Sequence, residues 1–138
     1  MRTIAETLTA ARAIIADPAH WTQHAHARDA AGEPVTLDAP NATCFCLDGA
    51  LAKAAGVHID AFGHWVRDDH YHIASQFLRS VTQSANGERS YVKVNDGSAY
   101  VADETGHPGV LALLDIGIEK ASKPMNTTGP RWRRKCPG

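Results

Sequence analysis

Four helix stops divide this chain and limit what it can fold into. Asp17-Pro18 ends the first apolar-periodic stretch, because a residue before proline avoids the helical region. Gly56 suits the end of a second stretch, Ala85-Asn86-Gly87 ends a third, and Lys123-Pro124 ends a fourth. Each stretch carries one apolar stripe at helical spacing. The stripes are Ile4, Leu8, Ala11 and Ile15; Leu47, Ala50, Leu51 and Ala54; Tyr71, Ala74, Phe77, Leu78 and Val81; and Val110, Leu111, Leu114, Ile118 and Ala121. Thr3-x-x-Glu6 reads as a capping box for the first helix. Thr43 is the expected N-cap of the second, Asp68 or Asp69 of the third, and Pro108 the expected first residue of the fourth. Gly49 falls inside the second helix at a cost of about 1 kcal/mol relative to alanine. Close approach of another backbone is the simplest compensation.

The connections read less regularly. Gly32 marks a small hairpin reaching Val35-Thr36-Leu37, and Asp60 to Val66 suggests a short turn of helix. Ser90-Tyr91-Val92-Lys93-Val94 alternates and is rich in β-formers, which predicts a strand. Asn95-Asp96-Gly97 is then a turn, with Tyr100-Val101 pairing back. The expected fold is α+β and predominantly α: a compact four-helix domain with one or two small β-hairpins. Residues 1–122 form the domain and residues 123–138 a basic, flexible tail.

Composition narrows the setting. The chain has 138 residues, the size of one domain, and at 43% apolar and 21% charged it is ordinary for a globular protein. No apolar run approaches the ~20 residues that span a bilayer. The first stretch, interrupted by Glu6, Arg12 and Asp17, does not read as a signal peptide, so a cytoplasmic protein is expected. Three cysteines, an odd number, are expected to be free thiols there. Lys123, Arg131, Arg133, Arg134 and Lys135 meet no acid in the tail, and the net charge is −1, which leaves −6 on residues 1–122. An acidic body argues against nucleic acid as its partner, except through the tail.

Several segments together carry a resemblance. They are Trp21-Thr22-Gln23 with Ala27-Arg28-Asp29 and Gly32-x-Pro34-Val35, Ala42-Thr43-Cys44-Phe45-Cys46-x-x-Gly49-Ala50-Leu51, Asn95-Asp96, and Val110-Leu111-Ala112-Leu113-Leu114-Asp115. With these the chain resembles a family of small bacterial and phage proteins of unknown function, common in actinobacteria. The resemblance spans most of residues 8–122 and is most specific at Cys44–Leu51. A loop from Gly97 to Gly106 and the basic tail depart from it. It implies a compact, mostly helical fold and a phage origin, and it brings no activity with it.

The residues themselves offer three kinds of chemistry. Behind a Thr43 cap, Cys44 and Cys46 would sit among unpaired helix N–H groups, which favour a thiolate. A nucleophilic Cys44 would need a base and an orienting group, and His107 and Asp96 are the candidates. Alternatively Cys44 and Cys46 hold a metal such as zinc with help from some of the eight histidines, although the paired spacing of zinc sites is missing. His64, Asp68 and His72 would share a face if one helix ran through them. The third kind is non-enzymatic binding of a host protein or small ligand. Arg28 and Asp29, with an Arg28–Asp96 or Arg28–Asp48 ion pair, would make a polar patch. Trp65 beside Phe62, and Trp132 and Arg133 in the tail, are aromatic and cationic contact candidates. A small binding or accessory protein is the leading expectation; no phosphate-binding glycine loop, Ser-His-Asp order or paired glycosidase carboxylates can be identified.

Overall fold

The computed structural model describes residues 2–123. The elements run α1 (Ile4–Ile15), β1 (Ala27–Arg28), β2 (Cys44–Phe45), α2 (Leu47–Ala54), β3 (His58–Ile59), β4 (Trp65–Val66), α3 (Asp69–Asn86), α4 (Tyr91–Asn95) and α5 (Gly106–Ser122). The architecture is α+β and mainly α, with two antiparallel two-stranded sheets, β1–β2 and β3–β4. Ala27 lies opposite Phe45, and His58 opposite Val66. A single 3-10 turn at Pro18–His20 follows the proline stop of α1.

The predicted stripes build most of the core, but on α5 Leu113, outside the expected stripe, is fully buried while Leu111, Ile118 and Ala121 are only partly so. Leu8, Ala11 and Ile15 of α1 are fully buried, and α1 packs against α2, which buries Leu47, Ala50 and Leu51, and against α5, which buries Val110, Leu113 and Leu114. Each such leucine or isoleucine contributes about 1.5–3 kcal/mol by leaving water. Ala74 and Leu78 of α3 close the core against α5. The caps follow the sequence for α1 and α3. Thr3 Oγ1 accepts from the Glu6 amide at 3.1 Å while Glu6 returns a carboxylate to the Thr3 amide at 2.8 Å. Asp68 accepts from the His70 and Tyr71 amides, and Gly87, at φ +84°, ends α3 in the left-handed region that glycine adopts freely.

Four local expectations are corrected. Ser90–Val94 is not a strand. Ser90 caps α4 through the Lys93 amide, and Tyr91 and Val94, three residues apart, turn the same way into the core while Val92 faces out. Five residues satisfy both periods, and burial selects the helical one. Val101 consequently has no strand at 90–94 to pair with and closes a tight turn with Glu104, through Ala102 and Asp103 at positive φ. Asp60–Val66 is not helical: Asp60 accepts from the Phe62 and His64 amides, Gly63 takes φ +81°, and the chain folds back as β3–β4. His64 is therefore in a hairpin, Asp68 a cap and His72 in α3, so no single helix carries the three. The last helix begins at Gly106, placing Pro108 third, where its missing N–H still has no intrahelical partner to lose.

Candidate functional site

The second helix starts later than its sequence suggests, and the site depends on that. Cys44 and Phe45 are drawn into β2 by pairing with β1, so the cap is Cys46 and not Thr43. Asp48 then occupies the first turn, where a carboxylate suits the helix dipole. Beside it, Gly49 packs directly under the backbone carbonyl of His26, in space that any Cβ would occupy. This is the close backbone approach that a mid-helix glycine implied, and it sets His26 alongside Asp48.

Asp48 is a carboxylate held from three directions. Its Oδ1 accepts from the Tyr71 hydroxyl at 2.7 Å and the Tyr91 hydroxyl at 2.8 Å, and its Oδ2 lies 3.3 Å from His26 Nε2. An ionised carboxylate only accepts, so Tyr91 spends its single proton on Asp48. The Ser75 hydroxyl, 2.7 Å from Tyr91 Oη, must then donate to it. Burial pushes the Asp48 carboxyl upward, but the bonds from His26, Tyr71 and Tyr91 outweigh it and hold the group below the usual carboxylate range. Burial, followed by the Asp48 charge, pushes both tyrosines up, so they remain neutral donors.

The carboxylate is 16% exposed, and three cavities meet at it. One, of about 270 Å³, lies between His24, His26, Cys46 and Val92. A second, of about 280 Å³, is bounded by Tyr91, Ser90, Arg79 and Arg89. The third, of about 680 Å³, is bounded by Trp65, Arg67, Arg79 and His64. Trp65 stands 4.5 Å from the His26 ring and edge-on to Tyr71 at 5.9 Å, with the Arg67 guanidinium over both Trp65 and Tyr71.

A second polar hub adjoins the first. Asn95, 2% exposed, accepts the Trp21 indole N–H at 2.7 Å and the Leu47 amide at 3.0 Å on Oδ1. Its Nδ2 donates to the Thr22 carbonyl and to Asp96. The Asn-Asp pair thus ties the 21–23 segment, the start of α2 and α4 together.

Cys46 Sγ accepts from the Gly49 amide at 3.2 Å, and burial pushes its thiol up to about 11, the opposite of the thiolate expected behind a Thr43 cap. Cys44 Sγ donates to the Ala19 carbonyl. His107 Nε2 is 2.7 Å from the Ile15 carbonyl, with its ring against Trp21, and Asp96 faces His24 at 3.6 Å. Among the described residues no hydrogen bond joins Cys44, His107 and Asp96, and no three His, Cys, Asp or Glu side chains group as metal ligands. Arg28 forms neither expected ion pair; it donates to Thr22 Oγ1 and to the Gly32 and Gln23 carbonyls, bracing the reversal that Asp29 closes through the Ala31 and Glu33 amides. Trp65 belongs to the wall beside Asp48, while Phe62 is 83% exposed. Trp132 and Arg133 lie outside the described residues. Sequence reasoning met Asp48 only as a partner for Arg28 and missed Tyr91, Arg79 and Arg89.

The chain belongs to a family of unknown function, DUF6197, whose profile matches residues 1–120. No curated protein and no solved structure matches it. No helix among the described residues is long and apolar enough to cross a membrane.

Proposed function

We propose that this protein binds a small polar ligand against Asp48, and that binding rather than chemistry is its role. One observation carries the reading: an ionised, largely buried carboxylate is positioned by donors from the β1 approach, α3 and α4 and yet opens onto three cavities. Pre-placed polar groups in a concave, partly aromatic setting are the usual form of a small-molecule site. A carboxylate accepts up to about four hydrogen bonds, so Asp48 keeps capacity for a ligand donor. The same reading takes in an accessory role, which the small size and the lack of a catalytic signature support, in a phage or an actinobacterium, the setting of the family that the Cys44–Leu51 segment resembles.

The test is a screen of pooled polar metabolites by amide NMR on the full chain. The expected result is saturable shifts at Asp48, Tyr71 and Tyr91 that Asp48→Asn abolishes. Saturable binding that maps elsewhere, or no binding from any pool, would count against the site.

A further inference from the structure

We infer that the groove beside Asp48 takes a mononucleotide-sized organic phosphate, with the phosphate on Arg79 and Arg89 and a planar ring toward the Trp65–Tyr71 wall, which Arg67 flanks. This deepens the ligand-site reading and rests on it. The second and third cavities adjoin along Asp48, Tyr71 and Arg79, which line both, and together make the groove. Arg79 and Arg89 line the second cavity and Arg79 and Arg67 the third, against one carboxylate, Asp48. None of the three arginines forms a salt bridge among the described residues. Arg89 is oriented by the side-chain carbonyls of Gln83 and Gln76, both at 3.1 Å, which are neutral and leave its charge uncompensated. Arg67 is held by aromatic faces and not by an acid. The single carboxylate already accepts two hydroxyl donors and faces His26, so the groove as a whole is cationic.

Such a surface selects an anion, and planar guanidinium forks match phosphate geometry better than a point charge does. The remaining features select the rest of the ligand. Trp65 is half-buried, with Arg67 above it, and offers apolar area beside a cation. The spare capacity of Asp48 accepts a ring N–H or amino group. A phosphate, a flat ring and a donor on that ring together describe a nucleoside monophosphate.

Calorimetry on the full chain decides this, using the four ribonucleoside monophosphates, their nucleosides, and ribose 5-phosphate. At least one monophosphate should bind about tenfold or more tighter than its nucleoside and than ribose 5-phosphate, and weaken as salt rises. Arg79→Ala should cost about tenfold or more in affinity, with Arg79→Lys partly restoring it. Arg79 is exposed, so a melting curve matching the parent's is expected for both variants. Equal affinity for nucleoside and monophosphate, or indifference to Arg79→Ala, overturns the phosphate assignment. Ribose 5-phosphate binding as tightly as every monophosphate overturns the ring. If none of these probes binds while the metabolite screen still maps a ligand to Asp48, the organic-phosphate class is wrong and the ligand site stands.

Discussion

Asn95 and Asp48 both anchor the start of α2 to segments remote in sequence, and they do so by different means. Asn95 is neutral and all but sealed, and spends its side chain on Trp21, Leu47, Thr22 and Asp96. It borders one cavity but has little left to offer a ligand. Asp48 is charged, has three partners and faces three openings. The difference separates polar groups that hold the fold from polar groups held by the fold. A satisfied neutral knot stabilises by avoiding orphaned donors, whereas an ionised acceptor kept near water is positioned for something else.

The contrast can be broken by substitution. Asn95→Ala should have the largest effect, because it orphans the Trp21 indole and the Leu47 amide together: a loss of about 3 kcal/mol or more in urea unfolding. Gly49→Ala should cost about 1–3 kcal/mol, since the His26 carbonyl must retreat, and should disturb the His26–Asp48 approach as well. Asp48→Asn keeps the shape and should cost less, about 1–2 kcal/mol, while removing ligand binding. A loss equal to that of Asn95→Ala would make Asp48 another structural knot and end the comparison.

Two titrations sharpen it further. The folded carboxyl of Asp48 sits below its unfolded value, so its stabilisation is present above that unfolded value and is lost as pH falls through the folded one. Asp48→Asn should therefore flatten the acid limb of stability below about pH 4. Cys46 runs the other way: its folded value is raised, so its contribution is full below the unfolded value and lost as pH rises toward about 11. With Cys44 and Cys136 replaced by serine, iodoacetamide should label Cys46 slowly until the pH nears that value. Rapid labelling at neutral pH would revive a reactive thiol in α2.

The frame of the molecule was legible in its sequence because caps, stripes and stops are local. Thr3 with Glu6, Asp68 and Gly87 mark helix ends by chemistry within a few residues, and the structure uses each of them. The start of α2 was misplaced because Cys44 and Phe45 obey a partner strand about 17 residues away rather than their own neighbours. The 90–94 segment was misread because five residues cannot distinguish a period of two from one of 3.6 until burial is known. The site lay further out of reach. Tyr71 and Tyr91 lie 23 and 43 residues from Asp48, and nothing in their local patterns announces a shared carboxylate. The one sequence clue nearby was Gly49, which signalled a close neighbour without naming His26.

The two hubs also differ in a way that makes them visible. Trp21 donates its indole N–H to Asn95, and Trp65 stands against His26 beside the groove. Indole emission follows the polarity and the quenchers around the ring. Each hub thus carries its own fluorophore: Trp21 for the integrity of the fold and Trp65 for occupancy of the groove. With Trp132 replaced by phenylalanine, and Trp21 or Trp65 replaced in turn, the same optical signal separates unfolding from binding without any added label.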